Sequence, residues 1–158
     1  YGKNPIFHPY DRSGKSRASI PYSCGQYYVA GGLNGGTAAA YLALCRELKK
    51  RTDEDLQNNV IARFHDESQL NRLVAETPGK FRILPPDYCT PEETPTGHEA
   101  ILVLQKSRCI NVESVKGAAK PQNFVQRKWE AFRLNWLPYL WLAGDTLLRR
   151  RIDFKNDL

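Results

Sequence analysis

Five consecutive residues, Phe64-His65-Asp66-Glu67-Ser68, gather the groups in this chain best suited to chemistry: an imidazole, two adjacent carboxylates and a hydroxyl. A carboxylate aimed into a pocket is the usual tool for acting at the anomeric carbon of a sugar, as base, acid or nucleophile. The same residues also read as an acidic helix start, with Asp66 or Ser68 as cap and Glu67 complementing the dipole. Both readings need a helix that begins here. Leu70, Leu73 and Val74 supply the apolar spacing of one helix face, and Thr77-Pro78-Gly79 ends the pattern.

Upstream, Gln26-Tyr27-Tyr28-Val29-Ala30 reads as a buried strand running into Gly31-Gly32-Leu33-Asn34-Gly35-Gly36. The glycines let another group approach the main chain closely. Thr37 then caps a helix expected to reach about Lys50, with Tyr41, Leu42, Cys45 and Leu48 inward. Strand, glycine-rich turn and helix is how many phosphate-binding loops are built, but the spacing fits neither G-x-x-x-x-G-K-[ST] nor G-x-G-x-x-G, so a tight packing turn fits as well. A second helical pattern covers about Asp53 to Phe64, with Leu56, Val60, Ile61 and Phe64 inward and Asp53-Glu54-Asp55 on solvated surface. Phe81–Leu84 and Ala100–Leu104 read as strands, residues 85–98 as a proline-rich loop, and residues 1–26 as irregular.

The chain has 158 residues and no Met. It begins at Tyr1, so a processed chain or a fragment is expected. The formal charge of +6 permits anionic partners. The basic residues are spread along the chain, however, and nucleic acid is not expected. Cys24, Cys45, Cys89 and Cys109 include no C-x-x-C pair, which argues against zinc and for unpaired thiols, Cys45 in the core. Residues 123–151 hold all three tryptophans and end in Arg149-Arg150-Arg151. Pro138 should kink or break the helical pattern there. Two arrangements fit this tail: packing on protein, which a Trp/Leu stripe favours, or peripheral membrane contact with the arginines at the headgroups.

The order of Ile20-Pro21, Gly25-Gln26-Tyr27-Tyr28-Val29-Ala30-Gly31-Gly32-Leu33-Asn34-Gly35-Gly36, Phe64-His65-Asp66-Glu67-Ser68-Gln69-Leu70-Asn71-Arg72 and Leu84-Pro85-Pro86-Asp87-Tyr88 resembles family 6 glycosyltransferases. That family includes the histo-blood-group A and B transferases and the α-1,3-galactosyltransferases. The chain looks closest to the bacterial members, over about residues 1–108. The resemblance implies an α/β fold, here the C-terminal portion of a Rossmann-like nucleotide-sugar fold of type A. Residues 1–111 would form the donor-sugar and acceptor half, and 112–158 an additional helical tail without a family counterpart. The family's nucleotide-binding half, with its Asp-x-Asp or Asn-x-Asn motif, has no match.

The resemblance further implies retaining α-1,3 transfer of N-acetylgalactosamine or galactose from a UDP-sugar to a galactoside acceptor, fucosylated in some members. Glu67 is the implied nucleophile or electrostatic stabiliser, and with Phe64 it would meet the acceptor. Tyr28, Ala30, Gly31, Gly32, His65 and Asp66 are the implied donor-sugar contacts. The small residues Ala30-Gly31-Gly32 leave room for an acetamido group. Lys106 and Arg108 are the implied diphosphate contacts. No cofactor is implied in the chain itself: the UDP-sugar is a co-substrate, and transfer is metal-independent in bacterial-type members and manganese-dependent otherwise. The implied location is the cytoplasm or its membrane surface for a bacterial-type protein and the Golgi lumen for a eukaryotic one. These residues by themselves are expected to transfer little sugar. The rival expectation is a non-catalytic remnant, or a module that binds carbohydrate or a membrane surface.

Overall fold

The computed structural model describes residues 4–91, 100–104 and 123–148. Its elements are α1 (Ala38–Gln57), α2 (His65–Glu76), a parallel pair β1 (Thr90–Pro91) and β2 (Val103–Leu104), α3 (Phe124–Asn135) and α4 (Leu137–Leu147), with 3-10 turns at Pro5–Phe7, Pro78–Lys80 and Pro86–Tyr88. The described residues up to Arg82, with those from Arg133 onward, form one compact unit, and those from Ile83 to Phe132 a second.

In the first unit the segment before α1 is irregular, as expected, yet it carries much of the core: Ile6, Tyr10, Ala18 and Ile20 are buried, alongside Ala62, Leu70, Leu73 and Val74. A segment with no regular structure must find partners for its backbone elsewhere. Here buried side chains supply them. Asp11 accepts the Ser13 and Arg63 N–H groups at 2.8 and 3.0 Å. Asp55, only 3% exposed, accepts the Ser16 hydroxyl at 2.5 Å, the Arg17 N–H at 2.7 Å and the Gln69 amide at 2.7 Å. The Arg12 guanidinium lies over the rings of Tyr10 and Tyr22 and donates to the carbonyls of Ile20 and Pro21. Arg72 donates to the Ser19 carbonyl. Gly25 has φ +91° and packs on Tyr10, where a Cβ would lie 2.6 Å from the ring, so no other residue fits.

Thr37 caps α1 as expected, accepting the Ala40 N–H at 3.4 Å. The two helical patterns expected over 37–50 and 53–64 prove to be one helix, because no breaker separates them. It ends in a Schellman motif: Asn59 is left-handed (φ 56°), its N–H bonds to the Leu56 carbonyl, and the Val60 N–H bonds to that of Asp55. Residues 60–64 then form a loop. The expected inward residues are largely exposed: Tyr41, Leu42, Cys45, Leu56, Ile61 and Phe64 face outward, and α1 buries Arg51 and Asp55 instead. The helix docks through ionic and hydrogen-bonding groups. Arg51 pairs with Glu47 and Glu76 at 2.7 Å each, and Glu76 with Arg72 at 2.6 Å. Asp55 is therefore no solvated surface acid.

Burial by itself would raise the Glu76 carboxyl, but hydrogen bonds from Arg51 and Arg72 outweigh it and hold the group below its ordinary value of 4.5. A depressed carboxyl stabilises the fold above the unfolded value, and that contribution is lost as pH falls through the folded one. The urea midpoint should thus drop as pH is lowered below 4.5. Glu76→Gln should already be weakened at neutral pH, by about 1–3 kcal/mol, and respond less to acid. Equal acid sensitivity in both proteins would remove Glu76 as the cause.

Among the described residues, the strand expected over 26–30 is extended chain without a strand neighbour, and Phe81–Leu84 likewise pairs with no strand. In the second unit only Val103–Leu104 of the expected strand 100–104 pairs, Thr90 opposite Val103, and Ile101, Leu102 and Val103 are exposed. No Rossmann-like sheet is formed by the described residues. The expected domain boundary near residue 111 lies outside them. At the start of α3, Asn123 accepts the Gln126 N–H at 2.8 Å and Gln126 accepts that of Asn123 at 3.0 Å, a capping-box exchange. The helical pattern of the tail does break at Pro138, which sits in the first turn of α4, where a missing N–H costs nothing. No described helix is long and apolar enough to cross a membrane.

Candidate active site

Glu67 is the third residue of α2 and is half-buried. Its carboxylate does not cap its own helix. It reaches across to the extended segment before α1, where Oε1 accepts the Tyr28 hydroxyl and Oε2 accepts the Gly31 N–H at 2.7 Å. The expected caps are also absent in the form foreseen. Phe64 occupies the N-cap position, and Ser68 reaches back from inside the helix to accept the Phe64 N–H at 2.9 Å. His65, the first helical residue, is left-handed at φ 49°. That conformation costs a non-glycine residue about 1–2 kcal/mol, and it bends the chain abruptly into α2.

The segment facing Glu67 is held by one buried amide. Asn71 lies four residues after Glu67, on the same helix face. Its Oδ1 accepts the Val29 N–H at 2.9 Å, and its Nδ2 donates to the carbonyls of Val29 and Glu67 at 2.8 Å each. Both backbone groups of Val29 are thus paired by a side chain instead of a strand neighbour, which is why residues 26–30 stay extended outside a sheet. With Val29 fixed, Tyr28 and Gly31 are placed on either side of the carboxylate. Asn71 has no role in the sequence reading; its i, i+4 relation to Glu67 was the available signal.

Gly31 is set by proximity. A Cβ there would lie 3.1 Å from Glu67 Cβ and 3.3 Å from Oε2, tighter than side chains ordinarily pack. At Gly32 a Cβ would meet nothing within 4 Å. The chain beside the carboxylate is therefore closed at Gly31 and open at Gly32, with Ala30 half-buried. Gly31→Ala should push Glu67 by a few tenths of an ångström. If its position governs chemistry, transfer should fall about tenfold to a hundredfold, while Gly32→Ala changes stability little. Full activity of Gly31→Ala would show that the carboxylate's position is not critical.

Tyr28 is pushed well above the ordinary tyrosine range, first by burial and then by its hydrogen bond to Glu67, so it remains a protonated donor. Its ring lies 5.6 Å from Tyr10, which in turn donates to the Tyr27 carbonyl. Burial likewise raises the Tyr10 hydroxyl, to about 12. Both tyrosines therefore face the carboxylate segment as protonated hydroxyls.

His65 and Asp66, next to Glu67 in sequence, are exposed, and Phe64 is 38% exposed with the Arg63 guanidinium 5.0 Å from its ring. The structure thus brings together Tyr28, Gly31 and Glu67 by direct contact, with Ala30, Gly32, Phe64, His65 and Asp66 as their chain neighbours. Lys106 and Arg108 lie outside the described residues. Among the described residues no three His, Cys, Asp or Glu side chains converge where a metal could sit.

Residues 1–116 match Glycosyltransferase family 6. The chain belongs to that family. Over 80 residues, half of this chain, it is 39% identical to histo-blood group ABO system transferase 1 of Rattus norvegicus, of which the match covers 22%. It is 32% identical over 82 residues to alpha-1,3-galactosyltransferase 2 of Homo sapiens, covering 51% of this chain and 24% of that protein. It is 35% identical over 66 residues to the O-antigen biosynthesis glycosyltransferase WbnI of Escherichia coli, covering 42% of this chain and 28% of the relative. The chain thus spans about a quarter of the length of the curated relatives it matches.

Proposed function

We propose that this chain provides the donor-sugar and acceptor side of a retaining hexosyltransferase with the type A fold. The reaction moves N-acetylgalactosamine or galactose from a UDP-sugar to a galactoside in α-1,3 linkage. The observation that carries the reading is the half-buried Glu67 carboxylate held between the Tyr28 hydroxyl and the Gly31 N–H. A carboxylate offers about four lone-pair sites. Two are used by these donors, which leaves each oxygen one lone pair for a further partner.

Two routes use this geometry. In double displacement a Glu67 oxygen bonds to the anomeric carbon as the bond to the diphosphate oxygen breaks, and the acceptor hydroxyl then displaces Glu67 while giving its proton to the departed diphosphate. In front-face transfer the acceptor oxygen adds on the side from which the diphosphate departs. The hydroxyl proton passes to the leaving oxygen, and Glu67 stabilises the positive charge at the anomeric carbon. In both, Tyr28 and Gly31 fix the carboxylate before substrate arrives, so no reorganisation is needed during reaction. Asp66 accepts hydrogen bonds from donor hydroxyls, His65 holds the loop or touches the sugar, and Phe64 offers an apolar face to the acceptor. The open side at Gly32 and the small Ala30 leave room for an acetamido group, which favours N-acetylgalactosamine.

One observation favours a second reading. Both Glu67 oxygens bond to this chain's own groups, as they would in a purely structural staple. The deciding experiment offers the complete protein UDP-N-acetylgalactosamine or UDP-galactose with a panel of galactosides, and resolves the anomeric configuration of the product. Transfer with retention supports the enzyme. Absence of transfer to every galactoside from a folded protein supports the staple.

A further inference from the structure

Helix α4 lies beyond the residues that match the family, yet it belongs to the same compact unit as Glu67. It docks on the irregular segment before α1. Pro138 is buried, and the Tyr139 ring meets Phe7 edge-on at 5.4 Å. Asp145, 5% exposed, accepts the Tyr22 N–H at 2.5 Å, a bond between residues 123 apart in sequence. Six residues after Tyr22, Tyr28 donates to Glu67.

Arg12 links these two contacts. Its guanidinium lies 4.3 Å from the centre of the Tyr22 ring and 4.8 Å from that of Tyr10. It donates to the carbonyls of Ile20, Pro21 and Pro5 at 2.8, 2.5 and 3.2 Å. Burial lowers the guanidinium from its ordinary value, and Tyr22, Tyr10, Asp145 and Cys24 oppose that effect. Asp145 is the one carboxylate among these, and a cation drawn out of water needs an anion near it. Tyr10 in turn is 1% exposed, donates to the Tyr27 carbonyl and packs against Tyr28.

We infer that α4 is part of the scaffold of the active site, with Asp145 a positioning residue for the Glu67 carboxylate. The inference rests on the proposed role of Glu67. A segment without regular structure keeps its shape only through bonds of this kind. Asn71 fixes it at Val29, and Asp145 fixes it at Tyr22. Asp145→Asn keeps an acceptor for the Tyr22 N–H but removes the charge that acts on Arg12. The stack of Arg12 with Tyr10 and Tyr22 should then loosen, and with it the ring against which Tyr28 packs.

Contacts in series establish coupling only when both ends are measured. The far end is the Gly31 amide, which donates to Glu67. It is followed in proton–nitrogen correlation spectra of the full chain, alongside transfer kinetics of the complete protein. Glu67→Gln marks where the Gly31 cross-peak falls without a charged acceptor. Asp145→Asn should move the cross-peak toward that position and lower kcat about tenfold, with the donor KM little changed and the circular dichroism of the parent. Should Asp145→Asn unfold, Tyr139→Leu, which loosens the same helix at Phe7, decides by the same two readings. A Gly31 cross-peak unmoved in the folded variant overturns the inference whatever the rate does. So does a moved cross-peak with kcat unchanged. If the parent itself transfers no sugar, the proposed reaction fails, and the cross-peak alone decides whether Asp145 positions Glu67.

Discussion

In the complete protein, if the proposed reaction holds, Glu67→Gln should lower sugar transfer by about three orders of magnitude or more while leaving the protein folded. Gln matches Glu in shape, and its amide can keep both contacts: Oε1 can accept the Gly31 N–H, and Nε2 can donate to the Tyr28 oxygen. The staple therefore survives in form, and stability should change by no more than about 1 kcal/mol. What disappears is the negative charge. If the anomeric carbon develops positive charge beside this carboxylate, in covalent or front-face transfer alike, a neutral amide cannot replace it. Comparing initial transfer rates and urea midpoints for the two proteins separates the roles. Transfer within about tenfold of the parent would make Glu67 structural, because a staple is all that Gln preserves. Asn71→Asp offers an independent view. It keeps the acceptor for the Val29 N–H but sets a carboxylate against the Val29 and Glu67 carbonyls, so it should displace the facing segment and lower the rate without touching substrate.

The largest stability effect is expected at Asp55→Ala, about 3–5 kcal/mol by urea denaturation. The carboxylate is buried and receives three hydrogen bonds from two parts of the chain, the irregular segment through Ser16 and Arg17 and helix α2 through Gln69. Its removal strands those donors. Gln69 is the worst affected, since its Oε1 is already buried without a partner. Asp55→Asn should cost less, because the Gln69 amide can turn and offer that oxygen to the new N–H group. An Ala variant as stable as the parent would mean that water satisfies these groups. Since Glu67 lies two residues before Gln69 on α2, a weakened Asp55 site should also loosen the carboxylate, which a rise in KM along with a fall in kcat would register.

The residues themselves determined the family, the start and end of α2, its buried face, the Thr37 cap and the break at Pro138. Each rests on local information: motif order, helical spacing, a capping side chain, a missing N–H. The family also singled out Glu67. Only the tertiary structure decided what holds it. Asn71 replaces a strand neighbour for Val29, a non-local pairing between residues 42 apart in sequence. It turns an apparent buried strand into a lone extended segment. Asp55 reads as one of three surface acids because composition cannot show that donors from residues 16, 17 and 69 converge on it. The apolar positions of α1 followed the helical period yet remain exposed. Periodicity shows which face a helix presents, whereas burial depends on what packs against it, and here that is the ion-pair cluster of Arg51, Arg72 and Glu76.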